Sequence, residues 1–188
     1  MSQNRILIDT NTYFRLAQSI HPLLKVVFGT PPSLLLITHD LEKEFKRSAR
    51  LKSKFGWFWQ EEYVKNRNAP LQLSKVQRKQ FETDRQTILG IANDLGFTGL
   101  SVEDINGITY ATILQITLVT DDYDMATLAK DLGIAVICTL ELLKLMTEAN
   151  HIDLAKVRSV AGYWIHIADC PKDFKADYKR IFGEDSPT

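Results

Sequence analysis

Carboxylates follow two of the short apolar runs in this sequence, and carboxylates can bind divalent cations or exchange protons. Asp9 ends the run RILID, and the segment LVTDDYD places Asp121, Asp122 and Asp124 within four positions. A single Asp after a strand often caps the next helix, so Asp9 taken alone is ambiguous. Three crowded carboxylates repel one another and raise each other's pKa values unless a cation or solvent relieves them. The cluster therefore favours a cation site over a solvated turn.

Two glutamates lie on a helix that the sequence predicts after the second apolar run, starting near Thr38. At about 100° per residue, Leu41 and Phe45 belong to its buried stripe; Glu44 lies about 60° from the centre of that stripe and Glu42 about 100° away. We therefore expect Glu44 to face inward. Glu42 is expected in solvent, where its charge favours the amino terminus of the helix. From this helix alone, the alternative that both are ordinary surface glutamates stays open.

A further acid lies near the start of the helix predicted before the third strand. Ser101 and Asp104 have the spacing of a capping box, which is a purely structural role. Asp104 also shares one helix face with Ile108 and Ala111, so its side chain is predicted to extend along the apolar stripe toward the sheet. Asp104 could thus cap the helix or contribute to a site at the sheet, whereas Glu103 is expected in solvent.

These acids need a scaffold that brings them together. The runs RILID, LLLIT, ITLVT and IAVIC are each too short for a buried helix, and helical patterns separate them. Strands that alternate with helices pair in parallel through right-handed crossovers, which predicts an α/β fold: a three-layer α/β/α sandwich with a central parallel sheet. Active sites in such sheets lie beyond the carboxyl ends of the strands, where Asp9 and residues 121–124 fall.

The chain has 188 residues, of which 45% are hydrophobic, so we expect a single domain over residues 1–188. A helical insert is predicted at about 50–98 and a C-terminal helical tail at about 150–188. No apolar run approaches the roughly 18 residues that span a bilayer. The start MSQNRILID lacks the layout of a secretory signal, so we expect a cytoplasmic protein that does not contact membranes.

The net charge is zero, but the charges are unevenly distributed. Residues 43–85 contain 12 Lys or Arg and 5 Asp or Glu, and the rest of the chain is acidic. A basic lobe can attract phosphates that an acidic pocket alone would repel. The alternative is that the basic residues only solvate helices. The candidates for phosphate contact are Lys46, Arg47, Arg50, Lys52 and Lys54.

Four separate segments thus each offer an acid near a strand end or on a core-facing helix: Asp9, Glu44, Asp104 and one of the cluster Asp121, Asp122 and Asp124. Hard oxygen ligands of this kind suit Mg²⁺ or Mn²⁺. Zinc is disfavoured because the four histidines show no ligand spacing.

The same segments resemble the PIN-domain nuclease family, including its VapC-like ribonucleases. The matching stretches are ILIDTN, LEKEF, LSVEDINGI and VTDDYDMATLAKDLGIAVI, within about residues 4–50 and 98–146. The resemblance implies these catalytic, metal-binding acids: Asp9, Glu44, Asp104 and Asp122, with Asp124 as a fifth metal ligand. It also implies three residues that position water or metal: Thr10, Asn11 and Thr120.

The resemblance implies a metal-dependent endoribonuclease that hydrolyses phosphodiester bonds in RNA. Compact family members are toxins that a small antitoxin protein blocks, and they commonly form homodimers. Other members process RNA or act on DNA, and an inactive PIN-like binding or assembly module is a further alternative. A haloacid-dehalogenase-type phosphatase would need an acid where Asn11 stands, and a response regulator would need paired acids after the first strand.

Overall fold

The computed structural model describes residues 3–188, so Met1 and Ser2 of the predicted domain lie outside this description. Its strands are β1 (Asn4–Ile8), β2 (Val27–Phe28), β3 (Ser33–Leu36), β4 (Thr117–Val119) and β5 (Val136–Ile137). Its helices are α1 (Thr10–Leu16), α2 (Asp40–Arg47), α3 (Ala49–Lys54), α4 (Glu61–Arg67), α5 (Lys75–Asp94), α6 (Val102–Leu114), α7 (Tyr123–Asp131), α8 (Thr139–Glu148), α9 (Leu154–His166) and α10 (Phe174–Phe182), with a 3₁₀ helix at Gly56–Trp59.

The strands form one mixed sheet in the order β2-β3-β1-β4-β5. The four predicted apolar runs supply β3, β1, β4 and β5, which are mutually parallel. The prediction of an entirely parallel sheet is wrong at one edge, because β2 pairs antiparallel with β3. With only two residues, β2 is too short to show an alternating pattern in the sequence. Only its pairing with β3 identifies it as a strand. β1 lies between β3 and β4, so the connections that leave β1 and β3 run to opposite sides of β1. In α/β sheets a crevice opens at such a point, beyond the carboxyl ends of the strands.

Both faces of the sheet are covered by helices, as the alternation along β1 requires. Ile6 and Ile8 belong to the larger core, together with residues of α1, α2, α8, α9 and α10. Leu7 belongs to the smaller core, with residues of α5, α6 and α7. The fold is therefore α/β, with a mostly parallel sheet, and it is compatible with the predicted three-layer sandwich.

The region predicted as a helical insert contains α4, α5, the 3₁₀ helix and most of α3, and the tail contains α9 and α10. Between residues 3 and 188, no helix is both long and apolar enough to cross a membrane.

A cluster of aromatic rings joins the start of the insert to the sheet. The Phe14 ring on α1 has its centroid 4.7 Å from that of Phe55, 5.3 Å from that of Phe58 and 5.7 Å from that of Phe45. These four rings are buried. They hold α1, α2 and α3 in one unit, and the candidate acids at the start of α1 and on α2 are thereby fixed relative to each other.

We expect Phe14→Ala to lower the free energy of unfolding by about 3–5 kcal/mol, because it leaves a cavity among rings that cannot collapse into it. Urea unfolding followed by circular dichroism measures this change. Tyr123→Ala is the matched control: its ring is 76% exposed, so the change should be about 0.5 kcal/mol. Equal losses in the two variants would contradict this account of the cluster.

Candidate functional site

Five carboxylates line one small cavity at the carboxyl end of the sheet. The cavity has a volume of about 20 Å³, room for about one water molecule. Its acidic lining residues are Asp9, Asp40, Glu44, Glu103 and Asp104. They come from the end of β1 and from α2 and α6, so segments that are distant in sequence meet at one point.

Asp9 has both of the roles that its position allows. Its Oδ1 accepts a hydrogen bond of 2.6 Å from the Thr12 N–H and thereby caps α1. Its carboxylate also lines the cavity. Burial, together with the nearby charge of Asp121, raises its pKa to about 6, while hydrogen bonds from Thr120 and Thr12 act in the opposite direction. At neutral pH this carboxylate is ionised at a cost in free energy.

The two glutamates of α2 face different surroundings. Glu44 lines the cavity beside Thr10. Burial and the charge of Asp104 raise the pKa of Glu44. Glu42 instead turns toward Arg67, with 3.4 Å between Oε1 and Nε, and toward Lys46. Glu44 is therefore the glutamate of α2 that lies in the site.

Asp104 forms the predicted capping box and also lines the cavity. Its Oδ2 accepts hydrogen bonds of 2.8 Å from both the N–H and the hydroxyl of Ser101. Burial, with the charges of Asp122 and Glu103, raises its pKa against the effect of those bonds. The expectation that Glu103 faces solvent is wrong: it lines the cavity and accepts a 2.6 Å bond from Arg47. That partner lies 56 residues away, so helix geometry could not reveal it.

The third-strand cluster does not enter the cavity as a group. Asp122 is exposed, and its Oδ1 accepts a 2.8 Å bond from the Met125 N–H as the N-cap of α7. Asp124 is half-buried and also lies outside the cavity lining. Asp122 and Asp124 thus lie outside the cavity lining, and the capping bond holds Asp122 at the rim, where its charge still acts on Asp104. Their part in a metal site stays a prediction.

Asp121 is a structural anchor that sequence reasoning undervalued. Its carboxylate is 8% exposed and accepts bonds from Arg15 Nη1 at 2.6 Å, the Thr139 N–H at 2.9 Å and the Thr139 hydroxyl at 2.5 Å. It joins the end of β4 to α1 and α8. The Oγ1 of the buried Thr120 beside it accepts a 3.1 Å hydrogen bond from the Asp122 N–H.

Asp40, also missed, is buried in the cavity wall. It accepts bonds from Asn106 Nδ2 at 2.9 Å and Lys43 Nζ at 2.7 Å. Asp40 lies four residues after the end of β3 and is the first residue of α2, and this place near the carboxyl end of a strand was the available signal.

The residues predicted to contact phosphate do not all lie near the cavity. Arg47 and Arg50 lie beside the acids, Arg47 on Glu103 and Arg50 on Asn11 and Asp169. Lys54 also contacts Asp169. Lys46 lies over the Trp59 ring at 5.5 Å, and Lys52 is exposed.

Within residues 3–188, no three His, Cys, Asp or Glu side chains converge closely enough to hold a metal ion by themselves. The donor set nevertheless fits a hard cation. Asp9, Glu44 and Asp104 are carboxylates in one cavity, and burial and like charge raise their pKa values. Mg²⁺ retains several waters and needs only one or two protein carboxylates. These three residues are the ones that could hold it.

The chain matches no protein-family model, and no curated protein matches it. The activity of the protein therefore has to be inferred from its own residues.

The raised pKa of Asp9 predicts a specific pH dependence of stability. A carboxyl group whose pKa is 3.8 unfolded and about 6 folded stabilises the fold fully below pH 3.8, and that contribution is lost as the pH rises through about 6. Asp9→Asn keeps the α1 cap but cannot ionise. In EDTA at pH 7 we expect it to be more stable than wild type by about 3 kcal/mol.

Urea unfolding at pH 4 and pH 7 tests this expectation. Wild type should lose more stability than Asp9→Asn over this interval, and the difference between the two proteins isolates Asp9 from the other acids. Parallel curves for the two proteins would show that Asp9 is not perturbed.

Proposed function

We propose that this protein is a metal-dependent phosphodiesterase of the PIN-domain type, an endonuclease that cuts RNA. The observation that supports this most strongly is the shared cavity of Asp9, Glu44 and Asp104 at the carboxyl end of the sheet. The resemblance of the four acidic segments to PIN-domain nucleases favours the same activity.

The charge balance of the cavity supports a cation as its ligand. Two of its acids already have basic partners, since Lys43 binds Asp40 and Arg47 binds Glu103. Asp9, Glu44 and Asp104 have no ion pair within the described residues, and their pKa values are raised by burial and like charge. Mg²⁺ or Mn²⁺ would relieve this repulsion and accept these oxygen ligands.

Capping hydrogen bonds hold two of the acids in place: the Thr12 N–H orients Asp9, and Ser101 orients Asp104. Asp9, Glu44 and Asp104 would hold a divalent cation, which would supply a water of lowered pKa and stabilise charge on the phosphodiester oxygens.

The rim provides attraction for the substrate. Arg47 and Arg50 lie next to the acids and would contact phosphates on either side of the cleaved bond, which offsets the repulsion from the cavity. An RNA substrate, a small antitoxin-like partner and a homodimer all follow from the family resemblance and belong to this proposal. DNA cleavage and RNA processing are its variants.

One observation favours a second candidate, an inactive PIN-like binding module. Asp122, the fourth acid of the pattern, caps α7 at the rim instead of lining the cavity. A module of this kind would bind its partner without divalent cations. Titration with Mn²⁺ separates the two candidates, because a cation that binds only the folded state raises the melting temperature.

We expect purified protein to cut structured or single-stranded RNA in Mg²⁺ or Mn²⁺ and to lose this activity in EDTA and in Asp9→Asn. Glu44→Gln should lower kcat on the order of 100-fold, because it removes an acid of the cavity. Glu42→Gln is the matched control on the same helix and should remain within about threefold, because Glu42 faces Arg67.

Gel analysis of labelled RNA and DNA of the same sequence measures the cuts. Equal losses in Glu44→Gln and Glu42→Gln would remove the cavity from the mechanism. Cleavage of DNA alone would change the substrate class. Cleavage that persists in EDTA would refute the metal requirement.

A further inference from the structure

The segment that follows α9 supplies a buried carboxylate next to the candidate site. Asp169 has a side chain only 6% exposed, and three basic groups converge on it. Its Oδ1 accepts bonds of 2.9 Å from Arg50 Nη1 and from Lys54 Nζ, and its Oδ2 lies 3.3 Å from Arg15 Nε. The Arg15 Nε also donates to the Asp169 carbonyl at 3.0 Å. This contact joins the C-terminal region to α1 and α3.

Arg50 is held from two sides by these contacts. One terminal nitrogen binds Asp169, and the other donates a 3.0 Å bond to Asn11 Oδ1. Asn11 lies two positions after Asp9, and the positive charge of Arg50 lowers the pKa of Glu44, so the guanidinium is close to the cavity. Its side chain is 50% exposed, which leaves N–H groups free to reach a ligand.

The charges around Asp169 do not cancel. Arg15, Arg50 and Lys54 supply three positive charges, and Asp121 and Asp169 supply two negative ones. The exposed fractions of the three basic side chains are 12% for Arg15, 25% for Lys54 and 50% for Arg50. The surplus charge is therefore presented to solvent mainly by Arg50.

An untethered arginine at this position would behave differently. Without these bonds the Arg50 guanidinium could leave the rim, either to pair with an acid at the cavity mouth or to extend into solvent. The bonds to Asp169 and Asn11 hold it at the mouth. A fixed guanidinium at the mouth of an acidic cavity is suited to a phosphate group.

We propose that Asp169 is a positioning residue that fixes Arg50 at the rim of the cavity, where Arg50 contacts a phosphate of the nucleic-acid strand. This inference rests on the proposed nuclease function for its substrate class. It makes the C-terminal segment a part of the substrate site, through Arg50 and without direct contact between Asp169 and the substrate.

Asp169→Asn tests the inference because two effects predict opposite results. Loss of one negative charge near the site would by itself tighten binding of a polyanion. Loss of the anchor lets Arg50 turn away, and we expect this effect to dominate. Asp173→Asn is the matched control: it makes the same change of charge four residues later, at a side chain that makes no capping bond to α10, and Asn tolerates its positive φ.

The primary measurement is the Kd of a short fluorescein-labelled single-stranded RNA, by fluorescence anisotropy in EDTA, where metal-dependent cleavage stops. Asp169→Asn and R50K should each raise Kd about fivefold to tenfold, because lysine lacks the planar fork whose two terminal nitrogens bind Asp169 and Asn11 separately. Asp173→Asn should stay within about twofold. In Mg²⁺, KM should rise similarly while kcat stays within about twofold.

Two further readouts distinguish positioning from a general loss of structure. The slope of log Kd against log salt should fall by about 0.7 in Asp169→Asn and R50Q, the value for one phosphate contact on a single strand. The double variant D169N/R50Q should bind no more weakly than R50Q alone, since both changes remove the same contact. Asp169→Glu, which keeps the charge, should restore much of the affinity. If Asp169→Asn does not fold, R50K carries the test, because it leaves Asp169 in place and removes only the double attachment of Arg50.

The results distinguish a failure of this inference from a failure of the proposed nuclease function. Wild-type affinity or tighter binding in Asp169→Asn, additive losses in the double variant, or no RNA binding by wild type would each overturn the inference. RNA that binds with the expected variant pattern but is never cut would refute the nuclease and leave the role of Asp169 in place. Cleavage by wild type with no effect of Asp169→Asn would refute only the positioning role.

Discussion

Several negative charges cannot share a small buried cavity unless positive charge compensates them. This constraint determines how the charged side chains are arranged at the carboxyl end of the sheet. Five carboxylates line a cavity of about 20 Å³. A basic side chain on the same or a neighbouring helix neutralises Asp40 and Glu103. The remaining three acids are left with raised pKa values, so ionisation there works against stability. Acids with raised pKa values in a cleft are characteristic of functional sites.

The same constraint explains the residues just outside the cavity. Asp121 would add a further charge close to Asp9, but Arg15 and Thr139 bind it and hold it in the contact between α1, β4 and α8. Arg15 also binds Asp169, so one guanidinium links two acids that flank the site. The network keeps negative charge concentrated in the cavity and positive charge at its rim. The aromatic cluster around Phe14 holds the supporting helices together.

Several features could be predicted from sequence because local rules determine them. Four strands follow from short apolar runs, and the roles of Asp9 and Ser101 as caps follow from their positions before helices. The angle around α2 separates Glu44 from Glu42 because the apolar stripe fixes the orientation of that helix.

Other features depend on contacts between distant segments. Glu103 faces the cavity because Arg47 lies opposite it, and β2 exists through its pairing with β3. None of these partners has a signature within its own segment. Asp169 is the clearest case, since its three basic neighbours lie more than 110 residues earlier in the chain.

The capping bonds also determine how many oxygens each acid has left. In Asp9 the Oδ1 atom is occupied by the Thr12 N–H, and in Asp104 the Oδ2 atom is occupied by Ser101. Each capped oxygen keeps a second lone pair, but the capping bond fixes how the carboxylate is turned and leaves the other oxygen as the main acceptor. A cation bound there would meet each aspartate mainly through one oxygen. This monodentate mode suits the regular octahedron of Mg²⁺, whereas the larger Ca²⁺ accommodates bidentate carboxylates.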